Sequence, residues 1–239
     1  MTDTPSKPRR ELPYLIPIES ITEPLPLQRW FRPDQPLELE IGCGNGRFLA
    51  ARAKRNPDVG YIGIERMLER VRKVSRKAVN RGLSNLYVYR LEAFYAFYYL
   101  LPRHRLRTVY LFFPDPWPKK KHHHHRLIQP AFLDPLWARL EIGGEIQIAT
   151  DDAPYFESIR EVFAADNRFE EVPAIQRDEE ERTDFERIFL GQGCQIHACG
   201  YRTLPAPEPE LPPLRVPPER EPRDLDTNSE IDKLEEEEE

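Results

Sequence analysis

Between residues 37 and 165 the spacing of apolar positions switches back and forth between two periods. Leu37, Leu39 and Ile41 alternate with Glu38 and Glu40, the period of a strand, until Gly42-Cys43-Gly44-Asn45-Gly46 breaks the run. Residues 48–55 read as a helix closed by Asn56-Pro57, and 59–64 as a second strand that ends at Glu65. Met67, Val71, Val74 and Ala78 then recur on one face of a helix that Gly82 ends, while Arg66, Arg70, Lys73 and Lys77 keep the same spacing on another face. Further strands are predicted at 86–89, 108–113 and 145–149, with a turn at Gly143-Gly144. Helices are predicted at 94–101, 132–140 and 155–165. Strands alternating with helices of this length predict an α/β domain with a parallel sheet covered on both faces. Two β-like stretches near 169–175 and 194–203, with no clear helix between them, predict an antiparallel pair at the sheet edge.

Composition adds boundaries to this pattern. Eight of the 25 prolines fall between Pro205 and Pro222, and residues 235–239 are all glutamate. Such a segment buries little and repels itself, so 205–239 is expected to be a disordered, Pro-rich acidic tail. It holds 13 acidic and 4 basic residues, net −9 against −6 for the whole chain, which leaves residues 1–204 near +3. The acidity belongs to the tail, and the remainder leans basic, as suits a phosphate-bearing partner. Residues 1–35, rich in proline and charge, read as a partly disordered arm, which makes 36–204 the domain. Cys43, Cys194 and Cys199 form neither a disulfide framework nor a zinc pattern. No stretch suits a signal peptide or a membrane span, so a cytoplasmic protein is expected.

In an open α/β sheet, ligands bind beyond the carboxyl ends of the strands, and the glycine loop lies there on the first one. Its G-x-G-x-G spacing differs from the dinucleotide pattern. Glu65 ends the second strand where a ribose-binding acid would sit, and Glu40 immediately precedes the loop. Two carboxylates beside the loop point to a ligand with positive charge rather than to a pyrophosphate.

The most specific segment is Phe113-Pro-Asp-Pro-Trp-Pro-Lys-Lys-Lys-His-His-His-His-Arg126, directly after the fourth strand. It resembles the signature of the single-subunit, bacterial-type tRNA (guanine-N7) methyltransferases. The loop from Glu40 to Gly46, Gly63-Ile-Glu65, Ala149-Thr-Asp151 and Thr183-Asp-Phe-Glu186 are similar to that family's other motifs, in the same order. The resemblance spans residues 40–186 and, with the following strand, reaches about 203. It implies a class I (Rossmann-like) S-adenosylmethionine-dependent methyltransferase with a mostly parallel seven-stranded sheet and an antiparallel edge. It also implies the reaction, methyl transfer to N7 of a tRNA guanine, at guanine 46 of the variable loop. Glu40, Gly42, Gly44, Glu65, Glu92 and Asp115 would contact S-adenosyl-L-methionine, with Asp115 also catalytic. Lys119, Asp151, Thr183, Asp184, Phe185 and Glu186 would contact the guanine or its nucleotide. No obligatory protein partner and no membrane are implied, and monomer and homodimer both stay open. Two departures stand out: Glu92-Ala93 replaces the family's usual aspartate or asparagine before alanine, and four histidines replace a mixed basic run.

The residues support part of this unaided. Pro114 and Pro116 deny the chain a helix and hold Asp115 at the mouth of the sheet. Trp117 offers a flat face that can stack on a base or close the core. His122 to His125 admit three readings, an internal affinity tag, a metal site or a partly protonated phosphate-contacting segment. The last agrees best with Lys119 to Lys121 and Arg126, and no metal is expected. Arg103, Arg105, Arg107 and the basic face from Arg66 to Lys77 would extend that strip. Thr183 with Glu186 three residues on also reads as a capping box. Beside the enzyme stand two other functions, an RNA-binding module that keeps the fold without the chemistry, and a methyltransferase for another substrate.

Overall fold

The computed structural model describes residues 13–212. The start of the arm and most of the predicted acidic tail lie outside the described residues.

Seven strands form one sheet in the order β3-β2-β1-β4-β5-β7-β6. They are β1 (Leu37–Ile41), β2 (Gly60–Glu65), β3 (Leu86–Arg90), β4 (Leu106–Phe112), β5 (Leu140–Thr150), β6 (Phe169–Val172) and β7 (His197–Thr203). The first five pair in parallel, and β7 lies antiparallel to both β5 and β6. Helices α1 (Arg47–Arg55) and α2 (Leu68–Arg81) cover one face. The other face carries α3 (Ala93–Tyr95, continued by a π-helical turn Ala96–Leu100), α4 (Pro130–Arg139) and α5 (Ala153–Ala164). This is the class I methyltransferase architecture, with the antiparallel edge in the expected place.

Three details differ from the sequence expectation. A sixth helix, α6 (Asp184–Gly191), fills the stretch where no clear helix was expected. Eight residues form too short a window for helical periodicity to be distinctive. Gly143-Gly144 is not a turn before β5 but a bulge inside it, because pairing with β4 slips between Leu106↔Leu140 and Thr108↔Glu145. Gly143 adopts φ +82° to allow that slip. Both glutamates of β1 are buried, although the alternation suggests one exposed face. Glu38 is neutralised there, accepting from the Tyr110 hydroxyl at 2.7 Å and pairing with Arg107 and Arg52.

Both chain ends of the described region pack on this core. Ile16 donates to the Val88 carbonyl at 3.0 Å along the β3 edge, and Leu25, Leu27 and Phe31 are buried. Beyond β7, the Trp137 indole donates to the Leu204 carbonyl at 3.0 Å, Glu208 pairs with Arg103 and His104, and Leu211 packs on the core. Contacts with the core thus extend into 205–212 through Ala206 and Leu211, although most residues of this segment are exposed.

Helix α1 approaches β2 so closely that only glycine fits at position 63. A Cβ there would lie 2.6 Å from Cys43 Sγ and 3.1 Å from Leu49 Cδ1. Gly63→Ala is expected to destabilise the protein by about 1–3 kcal/mol through overpacking, read as a lowered urea midpoint. An unchanged midpoint would show that the loop and α1 yield without cost.

Candidate active site

Strand β1 ends at Ile41 and the chain turns through Gly42, Gly44 and Gly46, all at positive φ (+69°, +53° and +66°). Their surroundings separate their tasks. A Cβ on Gly46 would meet Val74 Cγ2 at 2.9 Å, so this glycine lets α2 pack against the loop. Gly42 and Gly44 face open space, where a ligand can approach the backbone. Glu65 braces the loop from β2: Oε2 accepts from the Gly44 amide at 3.1 Å and Oε1 from the Met67 amide at 2.9 Å.

Glu40 differs from every other carboxylate of the sheet. It is 3% exposed, and its Oε2 has no hydrogen-bond partner among the described residues. Burial pushes its carboxyl up to about 8; Arg177 and Lys77 oppose the shift and Glu65 reinforces it. Because the folded state holds this proton more tightly, the stability it contributes is greatest below the ordinary carboxylate value of 4.5 and falls as pH rises from there through about 8.

The cleft beside Glu40 has a volume of ≈ 210 Å³, with Gly42, Gly44, Asn45, Phe112, Thr183, Asp184 and Phe185 among its walls. Helix α6 forms the far wall, held there by α1. Asn45 Nδ2 donates to Asp184 Oδ2 at 3.0 Å, and Arg47 Nε donates to the Arg182 carbonyl at 3.0 Å. Arg55 pairs with Asp178, Glu180 and Glu181 at 2.7–3.0 Å. The acidic run before α6 is thus a clamp onto α1.

The Thr183–Glu186 motif divides. Thr183 Oγ1 accepts from the Glu186 amide at 3.1 Å, the cap expected of it. The reciprocal half of the box is absent, because Glu186 turns to Arg177 in two contacts of 2.9 and 3.0 Å. Thr183, Asp184 and Phe185 line the cleft, whereas Glu186 is buried beneath it. Arg177, which the sequence reading missed, lies 4.2 Å from the centroid of the Phe112 ring and leaves Nη1 buried without a partner. A lone arginine in a weakly β-like stretch carries no periodic signal.

Asp115 and Asp151 follow adjacent strands that are in register at Phe112↔Ala149, which brings both to the carboxyl edge. Asp115 is exposed and Asp151 half-buried. The chain enters the Pro-Asp-Pro-Trp segment through strained backbone, with φ +54° at Phe113 and +45° at Trp117. Arg126 secures it: Nε donates to the Pro116 carbonyl at 2.8 Å, and the guanidinium lies 4.6 Å from the Tyr155 ring centroid. Arg126 is therefore buried structure and not part of an exposed basic strip. Lys119, Lys120 and Lys121 are exposed, and 3-10 helix Lys120–His125 stacks its imidazoles, His125 lying 4.7 Å from Trp117. Desolvation, His124 and His122 hold His125 below the ordinary imidazole range.

The structure also gives Glu92 a second role and corrects the placing of three arginines. Glu92 spends both oxygens as the cap of α3, accepting from Phe94 and Tyr95 amides at 3.0 and 2.8 Å. Arg103, Arg105 and Arg107 lie at the opposite, amino end of β4 and bind Glu208, the Arg32 carbonyl and Glu38, so they cannot extend the strip.

The buried pair predicts unequal costs within the motif. Glu186→Ala leaves Arg177 without its counter-charge and is expected to lose about 3–5 kcal/mol. Thr183→Ala removes only a cap, about 1 kcal/mol. Urea titration reads both, and equal losses would contradict the division of roles.

The chain matches a family model described as "Putative methyltransferase" over residues 34–198. It is 41% identical over 178 residues to a tRNA (guanine-N(7)-)-methyltransferase of Halorhodospira halophila, covering 71% of this chain and 76% of that protein. A protein of the same name from Alkalilimnicola ehrlichii is 38% identical over 184 residues, covering 75% and 78%. Among solved structures, the 16S rRNA methyltransferase KamB superposes with TM-score 0.56 at 16% identity, covering 75% of this chain and 91% of that one. The antibiotic-resistance methyltransferase Kmr gives 0.54 at 19%, covering 76% and 92%. These two share the fold. With the glycine loop, Glu40 and Thr183 to Phe185 placed around one cleft and its kinship extending over most of its length, the chain belongs to the tRNA (guanine-N7-)-methyltransferase family.

Proposed function

We propose that this protein transfers a methyl group from S-adenosyl-L-methionine to N7 of a guanine in tRNA, at guanine 46 of the variable loop, in the cytoplasm. The observation that carries the reading is Glu40, a buried carboxyl without a hydrogen-bond partner among the described residues, at the mouth of the glycine loop. A cationic α-ammonium supplies the missing partner, and the open faces of Gly42 and Gly44 leave room for the rest of the amino-acid moiety. Glu65 reaches toward the ribose from β2 while bracing the loop. Glu92, engaged as a cap, leaves the adenine to backbone and apolar contacts nearby.

The bound cofactor supplies a methyl group on positively charged sulfur. Guanine N7 carries an in-plane lone pair, so no residue has to remove a proton first. The protein's work is alignment, worth up to about 7–11 kcal/mol in favourable cases. Asp115 and Asp151, which follow the adjacent strands β4 and β5, accept from the N1 and N2 donors of guanine and stabilise the positive charge that methylation places on the ring. Thr183, Asp184 and Phe185 shape the entry for an extruded base, and Lys119 meets a phosphate.

The test is incubation with labelled S-adenosyl-L-methionine and unmodified tRNA, followed by strand cleavage at N7-methylguanine. Label at one variable-loop guanine is the expected result; cofactor binding without transfer to tRNA would overturn the substrate. Asp115→Ala should abolish turnover with the fold intact, and Lys119→Ala should raise KM for tRNA with little change in cofactor affinity. Near-normal turnover of Asp115→Ala would remove its catalytic role.

A further inference from the structure

Two cavities outside the cofactor cleft share a wall. One, of ≈ 380 Å³, is lined by Arg47, Ala51, Lys54, Arg81 and Glu180. The other, of ≈ 390 Å³, is lined by Lys73, Arg76, Lys77 and Arg81, with Asn45, Asn80 and Asp184. Arg81 belongs to both, so they form one trough along the outer faces of α1 and α2. Asn45, Arg47 and Asp184 also line the cofactor cleft, which places one end of the trough at the rim of the active site.

The basic residues occupy a continuous helical face. Lys73, Arg76, Lys77, Asn80 and Arg81 follow the three- and four-residue spacing of one side of α2, opposite the buried Val71, Val74 and Ala78. From Lys73 to Arg81 the helix rises about 12 Å. Of the six cations, Lys54, Lys73, Arg76 and Arg81 are exposed and form no ion pair among the described residues. Nearby carboxylates are committed elsewhere, Glu180 to Arg55 and Asp184 to Asn45. Like charges crowd one another as well as lacking partners. Burial lowers the Lys77 ammonium; Asp184 opposes the shift, and the adjacent Arg81 and Arg47 add to it. A trough in which four cations lie close together without an ion-pair partner among the described residues is stabilised by an external polyanion.

We propose that the α1–α2 trough is a second nucleic-acid grip, in which Lys54, Lys73, Arg76 and Arg81 hold the sugar-phosphate backbone of the tRNA while the target guanine enters the adjacent cleft. The proposal rests on the tRNA reading above. Its contacts go to phosphates and so position the substrate without reading its sequence.

The test is a triple variant, Lys54→Ala/Lys73→Ala/Arg76→Ala, against a charge-matched control, Arg29→Ala/Arg32→Ala/Arg160→Ala, on other surfaces. The trough variant is expected to bind tRNA about tenfold or more weakly at moderate salt, with the slope of log K against log salt reduced by about 2–3. Its loss in kcat/KM should fall on KM, and cofactor affinity should match the parent's. The control should bind tRNA nearly as the parent does. A trough variant with unchanged tRNA affinity and salt slope, or a control equally impaired, would overturn the grip. A parent protein that fails to methylate tRNA at all would instead contradict the proposed function, so the two failures are distinguishable.

Discussion

A carboxyl buried at the end of a central strand without a hydrogen-bond partner among the described residues is the constraint around which the site is organised. Glu38 and Glu40 lie two residues apart on β1 and point to the same face, yet among the described residues only Glu38 has direct partners, the guanidinium groups of Arg107 and Arg52 and the Tyr110 hydroxyl; Arg177 and Lys77 act on Glu40 only from a distance. Glu40 keeps an oxygen without a partner in a fully buried position. Leaving a carboxylate so is costly for the fold and useful for a cationic ligand. Glu38, at the opposite end of the strand, is the internal control that shows what structural neutralisation of such a residue looks like.

The remaining elements serve to keep that position open and reachable. Gly63 admits α1 close to the sheet, Gly46 admits α2, and Glu65 fastens the loop between them. Helix α1 then does more than cover the sheet. Through Arg47, Arg52 and Arg55 it draws in the acidic segment before α6 and so sets the far wall of the cleft. Arg177 and Glu186 anchor that wall from below. The Pro-Asp-Pro-Trp segment stores its strain at Phe113 and Trp117 and is fastened by Arg126, which leaves the exposed lysines that follow to face solvent. Among the described residues, no helix is long and apolar enough to cross a membrane.

Much of this was legible in sequence because the sheet is parallel and its strands alternate with helices of ordinary length. The strand order was not legible, since nothing in the spacing of β1 to β7 specifies which strands are neighbours; the resemblance supplied only the strand count and the antiparallel edge. The glycine loop, Glu40 and Thr183 to Phe185 came together at one cleft as expected. Illegible were features decided by three-dimensional partners. Arg126 and Lys119 look alike as basic residues of one run, but only the first has the Pro116 carbonyl and the Tyr155 ring to bury against. Glu92 and Glu186 look like ligand-binding acids, yet the amides of α3 and the guanidinium of Arg177 claim them. Arg103 to Arg107 precede the signature segment closely in sequence and lie at the other end of the same strand.

The central claim, that Glu40 waits for a positively charged group, is tested most directly by calorimetry of S-adenosyl-L-methionine binding near pH 7 in buffers of different ionisation enthalpy. With its carboxyl pushed up to about 8, Glu40 is largely protonated beforehand and must ionise to meet an ammonium group. The account predicts a heat that varies with the buffer, equivalent to release of close to one proton, and loss of that dependence together with weakened binding in Glu40→Gln. Binding by the parent protein with the same heat in every buffer, and with undiminished affinity in Glu40→Gln, would contradict it.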